Sequence, residues 1–183
     1  MYVCVRRGRG EARCIHYFTA CVKNIFGFIV VTWLYIRTTF SSVGATVWMY
    51  STPWALRKLL KWVKDHYNDP EIIVTENGFC IDGEDQLTGE AALNDTLRVD
   101  FLTSYTNEAL KAIRLDGVRL KGYFYWSFLD NFEWMEGFHI RFGIHHVDFD
   151  DPNRPRTPKR SAEVYKEIIR NNGFPKKPQK SEL

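Results

Sequence analysis

Ile72-Ile73-Val74-Thr75-Glu76-Asn77-Gly78 is a run of apolar and β-branched residues that ends in one carboxylate and is broken at once by Asn and Gly. The run lacks period-two alternation, which predicts a strand buried on both faces, as in a parallel sheet. Glu76 then falls at the strand's carboxyl end. In open α/β sheets and β/α barrels that is the edge where ligands bind, because loops there vary while the strands hold side chains rigidly. A surface glutamate after an ordinary strand is the competing reading, and the strand alone does not separate the two.

Upstream, Thr52 and Pro53 start a helix, the first as cap and the second at its first position. Leu56, Leu59, Leu60 and Val63 recur on one face of it, with Arg57, Lys58, Lys61 and Lys64 on a solvated one, and Asn68-Asp69-Pro70 stops it. Downstream, Asp82-Gly83-Glu84-Asp85 is a polar loop whose acidic and Gly positions are out of register for an EF-hand. Asn94-Asp95-Thr96 is a glycosylation sequon that also suits a helix cap. Leu102, Tyr105, Ala109, Leu110 and Ile113 then mark a second amphipathic helix ending at Asp116-Gly117, and a second strand spans Val118 to Ser127. Helix, strand, helix, strand implies parallel crossovers.

The second strand runs into Trp126-Ser127-Phe128-Leu129-Asp130-Asn131-Phe132-Glu133-Trp134, and Arg141-Phe142-Gly143 follows. Carboxylates interleaved with rings suit a sugar: acidic groups accept hydrogen bonds from hydroxyls, and rings cover the apolar C–H faces. An aromatic loop packed over the end of the sheet explains the Phe and Trp residues as well, but not Glu133 between Phe132 and Trp134. His145-His146 with Asp148 reads as a strand-like return segment rather than a metal site. Ser161 is placed as the cap of a last helix bearing Val164, Tyr165, Ile168 and Ile169 and closed by Gly173.

With 45% hydrophobic residues in 183, the chain can bury a core. A formal charge of +3, with basic residues scattered or gathered at the ends, gives no stripe for nucleic acid. Cys4, Cys14 and Cys21 sit near the amino terminus and only Cys80 elsewhere, which fits neither a disulfide framework nor zinc spacing. Residues 1–45 differ in character from the rest. Their uncharged run from Asn24 to Ile36 would span about 20 Å as a helix, short of a bilayer crossing, so a membrane partner is not expected. A secretion signal or anchor, with Val43-Gly44-Ala45 as its cleavage site, is the alternative to a segment outside the domain; the long charged region before the run favours the latter. No compartment follows. The Pro- and Lys-rich tail from Pro175 is expected to be disordered.

Thr75-Glu76-Asn77-Gly78, then Trp126-Ser127 through Asp130-Asn131-Phe132-Glu133-Trp134 and Arg141-Phe142-Gly143, resemble the carboxyl-terminal part of a glycoside hydrolase family 1 β-glucosidase. The run from Val147 to Gly173 is most similar to the animal members. The resemblance covers roughly Trp48 to Gly173 and implies an α/β fold: the last part of a (β/α)8 TIM barrel, with strands seven and eight and their flanking helices. It implies a domain over 46–173 and a retaining β-glycosidase acting on a β-glucoside or related β-glycoside, with no cofactor, no metal and no nucleic acid. It also implies roles: Glu76 as catalytic nucleophile, Trp126 as platform under the sugar ring, Glu133 and Trp134 holding its outer hydroxyls, and Phe142 beside the same pocket.

General chemistry alone would pair Glu76 with Glu133 as nucleophile and acid, since retaining hydrolysis needs two carboxyls about 5 Å apart. The resemblance gives Glu133 to binding and places the acid/base in an Asn-Glu-Pro motif that these residues lack; Asn107-Glu108 is followed by Ala109. The Gln and His that also hold the sugar in this family have no counterpart either. The expectation is therefore a truncated chain, inactive alone, with a noncatalytic binding module and a membrane-tethered piece as alternatives. Ala55 replaces a usual Gly without consequence for chemistry, whereas Tyr125, where a small residue often precedes Trp-Ser, is expected to alter the cleft.

Overall fold

The computed structural model describes the strands Tyr2–Arg7 and Glu11–His16 and residues 49–174. The apolar run from Asn24 to Ile36 and the tail from Pro175 lie outside the described residues. Strands β1 (Tyr2–Arg7) and β2 (Glu11–His16) form an antiparallel hairpin. Helix α1 (Pro53–His66) leads to β3 (Glu71–Asn77), and a short α2 (Gly89–Leu93) and the long α3 (Thr96–Asp116) lead to β4 (Leu120–Tyr125). A two-stranded return, β5 (His145–Val147) with β6 (Arg156–Pro158), precedes α4 (Arg160–Arg170). The larger sheet has the order β2-β1-β3-β4, with β3 parallel to β4 and antiparallel to β1.

Helices cover one face of the β3–β4 pair. Leu56, Leu59, Leu60 and Val63 of α1 are buried in one cluster with Phe101, Leu102, Tyr105, Ala109 and Ala112 of α3 and with Ile72 and Val74 of β3. Each of the Leu, Val, Ile and Phe side chains contributes roughly 1.5–3 kcal/mol when fully removed from water, so this cluster fixes how the helices lie on the strands. Tyr105 adds direction, its hydroxyl accepting the Thr52 N–H at 2.9 Å. Thr52 does stand at the cap position before Pro53, but its side chain makes no capping bond. Asn68 and Asp69 take positive φ values of 60° and 49°, a conformation their short polar side chains tolerate, and so end the segment before Pro70.

Two expectations need correction. The strand containing Glu76 is not buried on both faces: Ile72 and Val74 are fully buried, but Ile73 between them is 38% exposed. Among the described residues, helices pack on one side only, so the alternate side chains of β3 and β4, including Phe124, face open space. Nor does Ser161 cap α4. Lys159 occupies that position, and the Ser161 N–H and hydroxyl are both taken by the Asp95 carboxylate, at 2.9 and 2.5 Å.

Candidate active site

Because β3 and β4 run parallel, their carboxyl ends share one edge, and Trp126 follows β4 directly. Side-chain direction at that edge is set by a bulge. Val74 stands opposite Tyr123 and Asn77 opposite Tyr125, so β3 spends one more residue than β4 over this interval. The pairing with β1 shows the same surplus, with Val3 opposite Val74 and Tyr2 opposite Glu76, which leaves Thr75 as the extra residue. One extra residue reverses the alternation of a strand. Asn77 consequently turns to the helix-covered side, where the Tyr123 hydroxyl donates to its Oδ1 at 2.7 Å, and Glu76 is left half-buried on the open side with Ile73, Phe124 and Trp126.

The two strand ends are pressed together. The Trp126 N–H donates to the Asn77 carbonyl at 3.1 Å, and a Cβ on Gly78 would stand 1.7 Å from the Trp126 carbonyl oxygen, so only glycine fits there. The Trp126–Ser127 peptide is cis. From this position the Trp126 indole Nε1–H donates to Glu133 Oε1 at 3.1 Å. The Glu133 carboxyl lies above the usual glutamate range, first through burial, with the indole bond opposing and the nearby Glu76 charge adding to the rise. Glu76, Trp126 and Glu133 therefore converge. Trp134 does not join them: it is 85% exposed and points into solvent from a 3₁₀ turn at Trp134–Glu136. Phe142 is buried behind the loop, its carbonyl accepting the Ser127 N–H.

Asp130 holds this loop from beneath. It is buried, and its carboxylate accepts the Gly143 N–H at 2.9 Å and the Val147 N–H at 3.3 Å. Gly143 is needed at that approach because a Cβ would fall 2.1 Å from the Asp130 nitrogen. Lys159 Nζ reaches Asp130 at 3.0 Å and Glu84 at 2.6 Å, and Arg98 binds both Glu84 and Asp95. Arg98 also donates to the carbonyls of Phe79 and Arg141, so one guanidinium ties the turn after Glu76 to the segment carrying Phe142. All five charged groups are withdrawn from solvent, two cations among three carboxylates.

Sequence reasoning missed this cluster. It set the Glu84 loop aside as an imperfect EF-hand, although Arg98 carried a clue: it lies on the apolar stripe of α3, in line with Leu102, Tyr105 and Ala109. The structure also relocates Tyr125. Its ring lies on the helix side, 6.4 Å from that of Tyr165, rather than in the cleft. His145 and Asp148 are engaged locally, the imidazole with the Phe128 carbonyl and the carboxylate with the Asp150 and Asp151 N–H groups. Among the described residues no group of three His, Cys, Asp or Glu is placed to hold a metal, and no helix is long and apolar enough to cross a membrane.

A pH dependence follows from the cluster. Burial raises the Glu84 carboxyl, but the Arg98 and Lys159 charges and hydrogen bonds outweigh it and leave the group below its ordinary value near 4.5. A carboxyl depressed in the folded state adds stability that is present above the unfolded value and lost on acidification. Urea unfolding is expected to give a midpoint that falls as the pH is taken below about 4.5; Glu84→Gln should lessen that fall.

Residues 37–174 match the family model for glycosyl hydrolase family 1. The chain belongs to that family. It is 50% identical over 132 residues to human lactase/phlorizin hydrolase, covering 72% of this chain and 6% of that protein. It is 51% identical over 127 residues to human cytosolic beta-glucosidase, covering 69% and 26%. The crystal structure of a beta-glucosidase from the fungus Humicola insolens in complex with glucose superposes with a TM-score of 0.70 at 35% identity, over 75% of this chain and 28% of that one. The chain thus spans about a quarter or less of the length of these relatives. The family's β-glucosidases are TIM barrels, and the β3–α3–β4 unit is a parallel pair of the kind such a barrel repeats.

Proposed function

We propose that residues 46–173 are the part of a family 1 β-glycosidase that carries strands seven and eight of its barrel, with Glu76 as the catalytic nucleophile. The observation that supports this best is the bulge at Thr75, which turns Glu76 onto the same side as Trp126 and the indole-bonded Glu133. Barrel strands are all parallel, so the antiparallel hairpin β1–β2 on the edge of β3 supports placing that hairpin outside the domain, and the family match, which begins at residue 37, leaves it out as well.

The proposed substrate is a β-glucoside or related β-glycoside. The Trp126 ring underlies the sugar, and Glu133 and Trp134 take its outer hydroxyls, with Trp134 swinging in from solvent and Phe142 packing beside the pocket. The Glu76 carboxylate attacks the anomeric carbon and forms a glycosyl ester as the aglycone departs with a proton. Water then cleaves the ester, returning Glu76 and releasing sugar with retained configuration. The proton donor is a Glu in an Asn-Glu-Pro segment, which these 183 residues do not contain. General acid assistance accounts for roughly two to four orders of magnitude in rate, so the chain alone is proposed to be inactive.

The test is a chimera in which residues 49–174 replace the matching segment of human cytosolic beta-glucosidase. Hydrolysis of a nitrophenyl β-glucoside by the chimera, and none above buffer by the 183-residue chain, is the expected result. A chimera that binds glucosides but does not cleave them would support a noncatalytic module instead.

A further inference from the structure

Tyr125 is buried, and its hydroxyl meets a single residue of the main chain. It accepts the Phe79 N–H at 3.2 Å and donates to the Phe79 carbonyl at 3.4 Å. The same carbonyl receives Arg98 Nε at 3.2 Å. Phe79 lies three residues after Glu76, and Tyr125 immediately precedes Trp126. The phenol therefore joins the turn that follows β3 to the last residue of β4, from the side opposite the open face. Its anchorage is firm: the ring packs near Tyr165, and the Tyr165 hydroxyl donates to the Tyr123 carbonyl at 2.9 Å. Gly78, the residue before Phe79, abuts the Trp126 carbonyl, where a Cβ would stand 1.7 Å from the oxygen. The two strand ends are thus held by close backbone contact as well as by the hydroxyl.

We propose that the Tyr125 hydroxyl is a positioning group, setting how far Glu76 stands from the Trp126–Glu133 pair. Its importance for catalysis rests on the function proposed above; the geometric claim does not. Tyr125→Phe keeps the ring and removes only the oxygen, leaving the Phe79 N–H without its acceptor while Arg98 still holds the carbonyl. Loss of one such bond is worth roughly 1 kcal/mol, about fivefold in a local equilibrium. The turn is expected to loosen and Glu76 to draw away from Glu133.

The experiment uses the 183-residue chain and NMR. Three quantities are followed: exchange of the Phe79 amide, the Trp126 indole N–H resonance, and the titration of the Glu133 carboxyl carbon. Tyr105→Phe is the control, since its buried hydroxyl holds Thr52 away from these strand ends. In Tyr125→Phe the Phe79 amide should exchange about fivefold faster, the indole resonance should move, and the Glu133 titration should shift toward the ordinary glutamate value. Tyr105→Phe should lower the unfolding midpoint without moving any of the three. Wild-type values for all three in Tyr125→Phe, or equal movement in the control, would overturn the proposal. If Tyr125→Phe does not fold, 3-fluorotyrosine at position 125, which retains the oxygen but alters its acidity, is read against the same three quantities. A covalent sugar label found away from Glu76 would remove the catalytic reading and leave this one standing.

Discussion

Arg98→Met is expected to lower the unfolding free energy by about 3–5 kcal/mol, the usual cost of removing one partner from a buried ion pair. The variant strands Glu84 and Asp95 in a site where neither reaches water, with Lys159 left as the remaining buried cation. It also removes a donor from the carbonyls of Phe79 and Arg141, the first of which keeps only the Tyr125 hydroxyl at 3.4 Å. Arg98→Lys keeps the charge but cannot span four acceptors, so it should recover only part of the loss. Lys61→Met is the matching control, because its pair with Asp65 is solvent-exposed and such pairs add little to stability. Urea denaturation of the three variants measures all of this. An Arg98→Met variant within about 1 kcal/mol of wild type would show that the cluster does not organise the site.

The second large effect concerns Glu76 at the end of β3 and Glu133 in the loop after β4, measured in the chimera. Glu76→Gln should reduce kcat by about three orders of magnitude or more, equivalent to about 4 kcal/mol, because an amide cannot form the glycosyl ester. Glu133→Gln removes hydrogen bonds from a charged acceptor, each worth roughly 1.5–3 kcal/mol, and should lower kcat/KM by about ten- to a hundredfold. The asymmetry carries the argument. If Glu133 were the proton donor, its loss would depend strongly on the leaving group, with dinitrophenyl glucosides spared and alkyl glucosides nearly abolished.

Much of the layout around the candidate site was legible in sequence because it depends on order along the chain. The apolar run before Glu76, the helix stripes and the aromatic loop after Trp126 each follow from local pattern, and β3 and β4 do pair in parallel with α3 between them. What could not be read is what depends on partners far away in sequence. Thr75 looks like any strand residue, and only the pairing with Tyr123 and Tyr125 shows that it is surplus. Ser161 has the composition of a cap, but Asp95, 66 positions away, claims its hydroxyl. Tyr125 sits where a side chain would be expected to meet substrate, yet strand alternation sends it to the core. Arg98 alone left a trace, as a charge on an apolar stripe.

The most direct measurement is to treat the chimera with a dinitrophenyl 2-deoxy-2-fluoro-β-glucoside, whose good leaving group needs little acid assistance and whose glycosyl ester hydrolyses slowly, and to map the labelled peptide by mass spectrometry. A single sugar on the peptide containing Glu76, absent from Glu76→Gln, is the result this account predicts. Label on Glu133, or an active chimera that takes no label at all, would contradict it.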